Sequence, residues 1–202
     1  MNKSQLLQSL KSQGFSKQII DGFSKVKRED FFPEELKSQA YEDEAFPIGN
    51  GQTISQPYTI ATMLSLLELE KGQKALEIGS GCGYVLALIS EITKQKVYGI
   101  ERIKELAEKS KENLKNSDAE VYCKNGYNGL SEKFPFDRIL ISAALKEIPK
   151  PLLSQLKEKG ILVAPVGSSY SQSLVAVQRK GNKFVTKKEI SGFIFVPFIE
   201  ED

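Results

Sequence analysis

The order of apolar and polar residues divides the chain into three parts. In the first, apolar residues recur at helical spacing in two short segments, which predicts two amphipathic helices. These residues are Leu6, Leu7, Leu10, Ile19, Ile20, Phe23 and Val26. A polar stretch with proline and glycine follows from about 33 to 57, and its length predicts a functional loop without regular elements. Pro57 then suits the first turn of a third helix with a broad apolar face.

From Lys74 onwards, compact apolar runs alternate with helical segments. Strands are predicted for "KALEIG", "KVYGIE", "AEVYCKN", "FDRILISA" and "ILVAPV", and helices for 85–92, 103–114 and "PLLSQLKEKG". Such alternation predicts an α/β fold with a mostly parallel, doubly wound sheet covered on both faces. Two further strand-like runs surround the turn "KGNK", which predicts an antiparallel hairpin at the edge of the sheet, and "GFIFVPF" follows as a closing strand.

Composition limits the kinds of chemistry that the chain can support. The 202 residues are 40% apolar and lack a low-complexity linker, so we predict a single domain. With two cysteines and no histidine, neither a disulfide framework, a Cys/His zinc site nor a Ser-His relay can form, and we expect no metal. A net charge of +2 gives no reason to expect nucleic acid or a membrane surface as partner.

Apolar segments of the chain are short. The longest fall well below the roughly 20 residues of a membrane span, and the N-terminus lacks the apolar region of a signal peptide. We therefore expect a cytoplasmic protein.

The stretch "LEIGSGCGY" carries the strongest motif. Gly79, Gly81 and Gly83 follow a predicted strand and open a helix, where glycine allows a tight turn and a close approach of backbone N–H groups to a ligand. The dinucleotide fingerprint requires its third glycine where Tyr84 stands, which argues against NAD. With Glu77 just before it, the turn resembles the first motif of class I S-adenosylmethionine-dependent methyltransferases; a plain strand-to-helix turn is the alternative.

Two polar residues at the ends of the next strands fit a nucleoside. Glu101 lies 18 residues after Gly83, where its carboxylate can accept hydrogen bonds from both ribose hydroxyls. Asn125 ends the third strand and would reach the adenine edge of a cofactor that crosses the strand ends. An exposed charge and an ordinary turn residue are the respective alternatives.

Several separate stretches resemble the protein-L-isoaspartate O-methyltransferase family: "PIGNGQTISQP", "ALEIGSGCGY", "GIERIKEL", "FDRILISAALKEIP", "LLSQLKEKGILVAPVG" and "FVPF". The "QTISQP" segment is peculiar to that family. The resemblance implies a Rossmann-like class I methyltransferase fold with an N-terminal helical extension. Within the single domain it places N-terminal helices and the active-site loop in 1–57, the cofactor-binding core in 58–170, and the C-terminal hairpin and closing strand in 171–202.

The resemblance also implies which residues form the site. Ser55 corresponds to the family's active-site serine, and Thr53, Ile54 and Gln56 belong to the same substrate loop. The residues implied for S-adenosylmethionine, and for its product S-adenosylhomocysteine, are Glu77, Gly79, Ser80, Gly81, Gly83, Glu101, Arg102, Asn125 and Gly126.

Three positions depart from the family pattern. Asn125 stands where the family usually has aspartate, so a neutral acceptor replaces a charged one toward adenine. Leu145 stands where proline is usual, and Cys82 where a small residue is common; we expect the Cys82 thiol only to pack.

The reaction implied by the resemblance is attack of an L-isoaspartyl carboxylate on the sulfonium methyl group. A carboxylate is already ionised at pH 7, so no general base is needed, and Ser55 would orient it as a hydrogen-bond donor. The expected partners are isoaspartyl peptides and proteins, acted on by a monomer.

Two other functions stay open at this stage. The first is a degenerate cofactor-binding module without activity, which the intact "QTISQP" loop argues against. The second is methylation of another substrate, such as an amino group of RNA or DNA. That activity generally needs an Asn/Asp-Pro-Pro-aromatic motif after the fourth strand, where this chain has "ISAALKEIP".

Overall fold

The N-terminal third is helical and packs on one face of the sheet. In this computed structural model, which describes residues 1–200, helices α1 (Lys3–Ser12) and α2 (Lys17–Lys25) form as the spacing predicts. Asn2 and Gln5 make a reciprocal capping box on α1, and Ser16 caps α2, so both helices begin where a side-chain oxygen satisfies free N–H groups. Two 3-10 helices, Arg28–Phe31 and Glu34–Gln39, follow.

A small hairpin lies inside the stretch for which we predicted no regular elements, so that prediction was wrong. Strands β1 (Phe46–Gly49) and β2 (Gln52–Ile54) pair antiparallel around Asn50 and Gly51. Both turn residues have positive φ, +51° and +68°, as the tight Asn-Gly hairpin turn requires. Helix α3 (Pro57–Leu67) then begins with proline in its first turn, as predicted.

The core is a seven-stranded sheet in the order β5-β4-β3-β6-β7-β8-β9. Its strands are β3 (Ala75–Ile78), β4 (Val97–Glu101), β5 (Ala119–Cys123), β6 (Phe136–Ile141), β7 (Leu156–Gly167), β8 (Gln172–Lys180) and β9 (Lys183–Phe193). The first five positions pair parallel and the last two antiparallel, which confirms the predicted sheet and hairpin.

The helices between the strands leave two separate apolar layers. Helices α1 to α4 cover one face of the sheet together with α5, whose bounds are Lys104–Asn113; α4 spans Tyr84–Thr93. The opposite face packs against the short α6 (Lys150–Ser154) and loop residues such as Leu130 and Leu145. The helix predicted over "PLLSQLKEKG" is therefore shorter than expected, because β7 already begins at Leu156.

The chain leaves β3 toward β4 on one side and reaches β6 on the other, so the strand order reverses between β3 and β6. A sheet of this kind opens a crevice at the carboxyl ends of the strands where the order reverses. The closing strand predicted at "GFIFVPF" does not form: its first two residues end β9, and the rest is an extended segment with one isolated bridge, Ala144 to Pro197, beside that crevice.

Strand β9 forms one edge of the sheet, and β5 forms the other. Lys183, Lys187 and Lys188 are exposed on it, and its pairing with β8 shifts register between Ala176 and Val177. Across residues 1–200, every helix is too short or too polar to span a membrane.

Candidate active site

An open cleft of about 650 Å³ lies at the carboxyl ends of β3, β4 and β6. Six of the predicted site residues line this cleft: Thr53, Gly79, Gly81, Glu101, Arg102 and Gly126. An adjoining smaller cavity of about 400 Å³ is lined by Glu77. The smaller cavity also brings in Ile54, Ser55 and Ser80. Residues from the N-terminal hairpin and from three strand ends thus meet at one place.

The glycine turn after β3 lies on the floor of the cleft. Gly79 and Gly81 have φ of +78° and +52°, a conformation that side chains with a Cβ rarely adopt. The N–H groups of Gly79 and Ser80 donate to the Ile100 carbonyl at 2.8 and 3.1 Å, which fixes the turn against β4.

Gly83, the third glycine of the motif, lies where α4 packs against α5. It does not border either cavity, and a Cβ on it would lie 2.6 Å from Ser110 Oγ and 2.9 Å from Leu114 Cδ1. Its φ is +90°. Close packing of α4 against α5 therefore requires glycine here, and a contact of Gly83 with the cofactor stays a prediction.

Glu101 is buried at the end of β4 and is held by two backbone donors. Its Oε2 accepts from the Gly81 N–H at 2.9 Å, and its Oε1 accepts from the Ile103 N–H at 2.9 Å. Each carboxylate oxygen keeps a second lone pair for a further donor. The carboxylate thus stands at the cleft with a fixed orientation.

Glu77 is fully buried beside the glycine turn. Its Oε1 accepts from Ser142 Oγ at 2.8 Å, whereas its Oε2 has no hydrogen-bond partner within residues 1–200. Burial raises the pKa of Glu77 to about 8; the Ser142 hydrogen bond opposes this shift and the charge of Glu101 adds to it. The unpartnered oxygen, together with an equally unpartnered Ser80 Oγ, marks a place where a donor is missing.

Loop 53–56 lies between the cleft and a third cavity. Ser55 and Gln56 border this third cavity of about 370 Å³, together with Thr53, Thr59, Ile194 and Phe195. Thr53 and Ser142 border all three cavities. Ser142 was missed from the sequence, although its place directly after β6, at the reversal of strand order, is the signal that could have found it.

The chain matches the protein-L-isoaspartate(D-aspartate) O-methyltransferase (PCMT) family over residues 1–202. It belongs to that family. A protein-L-isoaspartate O-methyltransferase of Methanothrix thermoacetophila is 43% identical, with 98% of this chain and 95% of that protein aligned. One from Dictyoglomus thermophilum is 42% identical over 95% of this chain and 88% of its own length.

Solved structures of the family have the same fold. The crystal structure of a Plasmodium falciparum protein-L-isoaspartate O-methyltransferase in complex with S-adenosyl-L-homocysteine superimposes with a TM-score of 0.87 at 27% identity, covering all of both chains. A precorrin-6y C5,15-methyltransferase from Geobacter metallireducens, with a TM-score of 0.55 and 18% identity over 74% of this chain, shares the fold only. The class I methyltransferase fold predicted from the sequence is confirmed.

The departure from the family at Asn125 has a structural setting. Its Oδ1 accepts from the Tyr127 N–H at 2.8 Å, and its Nδ2 donates to the Ile199 carbonyl at 3.2 Å. Asn125 therefore does not border the cleft here, although the adjacent Gly126 and Ile199 do. The C-terminal segment that contributes Val196 to Ile199 to this cleft was not predicted as part of the site.

The other two departures are accommodated by the fold. Leu145 donates its N–H to the Pro165 carbonyl at 2.9 Å, a bond that the family's proline could not make. Cys82 is buried, and burial raises the pKa of its thiol to about 11, so it packs as a neutral side chain, as expected.

Proposed function

We propose that this chain is an S-adenosylmethionine-dependent protein-L-isoaspartate O-methyltransferase that methylates the free carboxylate of L-isoaspartyl residues in damaged proteins. Membership of the family supports the reaction. The observation that carries it in the structure is that the glycine turn, held by Glu101, lines two adjoining cavities, the second of which also contains Ser55.

The residues present fit the cofactor. Glu101 has free lone pairs at the strand end where ribose hydroxyls would donate, and Gly79 and Gly81 leave room for close approach of the methionine end. The buried, unpartnered Glu77 Oε2 is an acceptor that an ammonium group would satisfy. S-adenosylmethionine supplies an electrophilic methyl group on its sulfonium.

The chain's own task is to bind and orient the acceptor. The carboxylate needs no base, so the absence of histidine costs nothing. The Ser55 hydroxyl, where the second and third cavities meet, would donate to one acceptor oxygen and direct the other toward the methyl group. The rate then comes from alignment and exclusion of water rather than from proton transfer.

The product of this transfer explains the biological role. An ester carbonyl is attacked far more readily than a carboxylate, so the neighbouring backbone nitrogen can bond to it, expel methanol and close a succinimide, whose hydrolysis restores part of the normal aspartate. We therefore propose that the chain initiates repair of isoaspartyl proteins. A monomeric state and a cytoplasmic location remain predictions, which sedimentation and fractionation can test.

The decisive test uses two peptides of identical sequence, one with L-isoaspartate and one with normal L-aspartate. We expect labelled methyl to pass from S-adenosylmethionine to the first peptide only, as a base-labile ester. Binding of S-adenosylhomocysteine without methylation of either peptide would instead indicate a cofactor-binding module. Methylation of both would assign the chain a broader carboxyl methyltransferase activity.

A further inference from the structure

Arg28 is a fully buried arginine next to loop 53–56, which we call the acceptor loop. Nothing in the proposed chemistry uses it. Its Nε donates to the Ala40 carbonyl at 2.8 Å, and its Nη2 donates to the Ser55 carbonyl at 2.9 Å. The guanidinium carbon lies 5.2 Å from the centroid of the Phe32 ring and 5.1 Å from that of Tyr84.

This arrangement is costly to the fold. Removing a guanidinium from water carries a large desolvation penalty, and its acceptors here are backbone carbonyls rather than carboxylates. Burial accordingly lowers the pKa of Arg28, an effect that nearby Tyr84 partly offsets. Its Nη1 is buried without a partner in the described chain. If Arg28 only filled space, an apolar residue of similar volume would fill it without this desolvation penalty. Its presence therefore indicates a role other than packing.

The geometry points to Arg28 as a positioning residue for the acceptor loop, an inference that rests on the proposed function. The planar fork joins two carbonyls that are 15 positions apart in the chain, and one of them belongs to Ser55 itself. The guanidinium also stacks on the ring of Tyr84. Tyr84 is the first residue of α4 and directly follows the glycine turn predicted to bind the cofactor. Arg28 thereby fixes the position of the acceptor loop relative to the glycine turn, where the methyl donor is predicted to bind.

A fork, rather than a positive charge alone, is needed for this role. Lysine presents one compact ammonium and cannot hold two divergent carbonyls in a fixed plane or stack between rings. The two ring contacts also orient the fork before any substrate arrives. Arg28→Lys therefore separates positioning from charge, and Arg28→Met removes both.

The chain offers a matched control in Arg138, its other buried arginine. The Nε and Nη2 of Arg138 donate to the Glu68 carbonyl at 3.1 and 2.8 Å, at the end of α3 and outside the three cavities. Arg138→Met should lower thermal stability to a similar extent without altering the acceptor loop.

Four measurements on wild type, Arg28→Lys, Arg28→Met and Arg138→Met test the inference: thermal stability, affinity for S-adenosylhomocysteine, kcat and KM on the isoaspartyl peptide, and amide hydrogen exchange in 50–56. We expect Arg28→Lys to lower kcat/KM by roughly 10- to 100-fold, keep cofactor affinity within about threefold, and speed exchange in 50–56. Arg138→Met should show wild-type exchange there.

Unchanged exchange in 50–56 in Arg28→Lys, with stability lost as in Arg138→Met, would overturn the role. This readout does not depend on turnover, so a wild type that fails to methylate the isoaspartyl peptide would refute the proposed function separately. If both Arg28 variants fail to fold, Phe32→Leu keeps the fork and removes one ring; faster exchange in 50–56 would support positioning, and wild-type exchange would contradict it.

Discussion

Glu77 lies one residue before the end of β3 and Glu101 ends the neighbouring parallel strand β4, yet their carboxylates have different surroundings. Glu101 accepts two backbone N–H groups, whereas Glu77 accepts only one hydroxyl and keeps one buried oxygen without a partner among residues 1–200. The sequence predicts both as cofactor residues but cannot distinguish them, because the distinction depends on Ser142, which is 65 residues from Glu77. The raised pKa of Glu77 makes the distinction measurable.

Glu77 should make stability fall as pH rises when no cofactor is bound. Its pKa is about 8 in the fold against an ordinary 4.5, so between these values the unfolded chain releases a proton that the folded chain retains. The stabilising contribution is complete below about pH 4.5 and lost by about pH 8. Glu77→Gln should remove this contribution and be more stable than wild type at pH 8, by a few kcal/mol at most.

Thermal melts of wild type and Glu77→Gln from pH 5 to 9 give the comparison. The same substitution should weaken S-adenosylmethionine binding, because a neutral amide oxygen replaces the charged acceptor for ammonium. Parallel stability curves for the two proteins would show that Glu77 titrates normally.

Ser55→Ala tests the orienting hydroxyl. We expect affinity for S-adenosylhomocysteine to stay near wild type, while methylation of the isoaspartyl peptide falls by roughly 10- to 1000-fold, the scale of one well-placed hydrogen bond. Stability should change little, since the contact of Ser55 with Arg28 is made by its backbone carbonyl. Full turnover at saturating cofactor would remove Ser55 from the mechanism.

Elements with strong local signals were predictable, and elements defined by distant partners were not. Helices α1 and α2, and the strands from β3 to β6, follow from spacing alone. The β1–β2 hairpin was missed because polar residues hid the period, although "NG" in "GNGQ" is a recognised turn signal. The C-terminal segment forms part of the site through contacts with residues far from it in the chain, among them the Ala144 backbone, more than 50 residues earlier, and the Asn125 side chain.

Close packing of α4 against α5 accounts for the glycine at position 83 without any contact with a ligand. Gly83→Ala adds a Cβ at positive φ and within 2.9 Å of two side-chain atoms of α5 and the residue after it, so we expect about 1 to 3 kcal/mol of lost stability. Cofactor affinity, measured by calorimetry well below the melting temperature, should stay within about twofold.

Gly81→Ala is the matched comparison for Gly83→Ala. Its Cβ would lie 3.1 Å from Ile48 Cδ1 inside the cleft, so cofactor affinity should fall clearly in this variant. If Gly83→Ala weakens cofactor binding as much as Gly81→Ala does, Gly83 contributes to the ligand site after all.

At the scale of the whole molecule, the order of strands was the part that sequence could fix least directly. Alternating strands and helices predict a parallel sheet but not the order of its strands. The pairing of β3 with β6, and hence the crevice between them, depends on the direction in which the chain crosses the sheet. That is why loop 53–56, β3 and β6 converge without a local signal that links them.

The lysines on the edge strand β9 have a consequence for how the enzyme meets its substrates. Proteins that accumulate isoaspartate are aged and often partly unfolded, and such chains add readily to any open strand. An enzyme that meets them continually risks being drawn into their deposits. Charged side chains and an irregular pairing along β9 discourage that addition, so we expect this edge to keep the enzyme from joining the unfolded chains on which it acts.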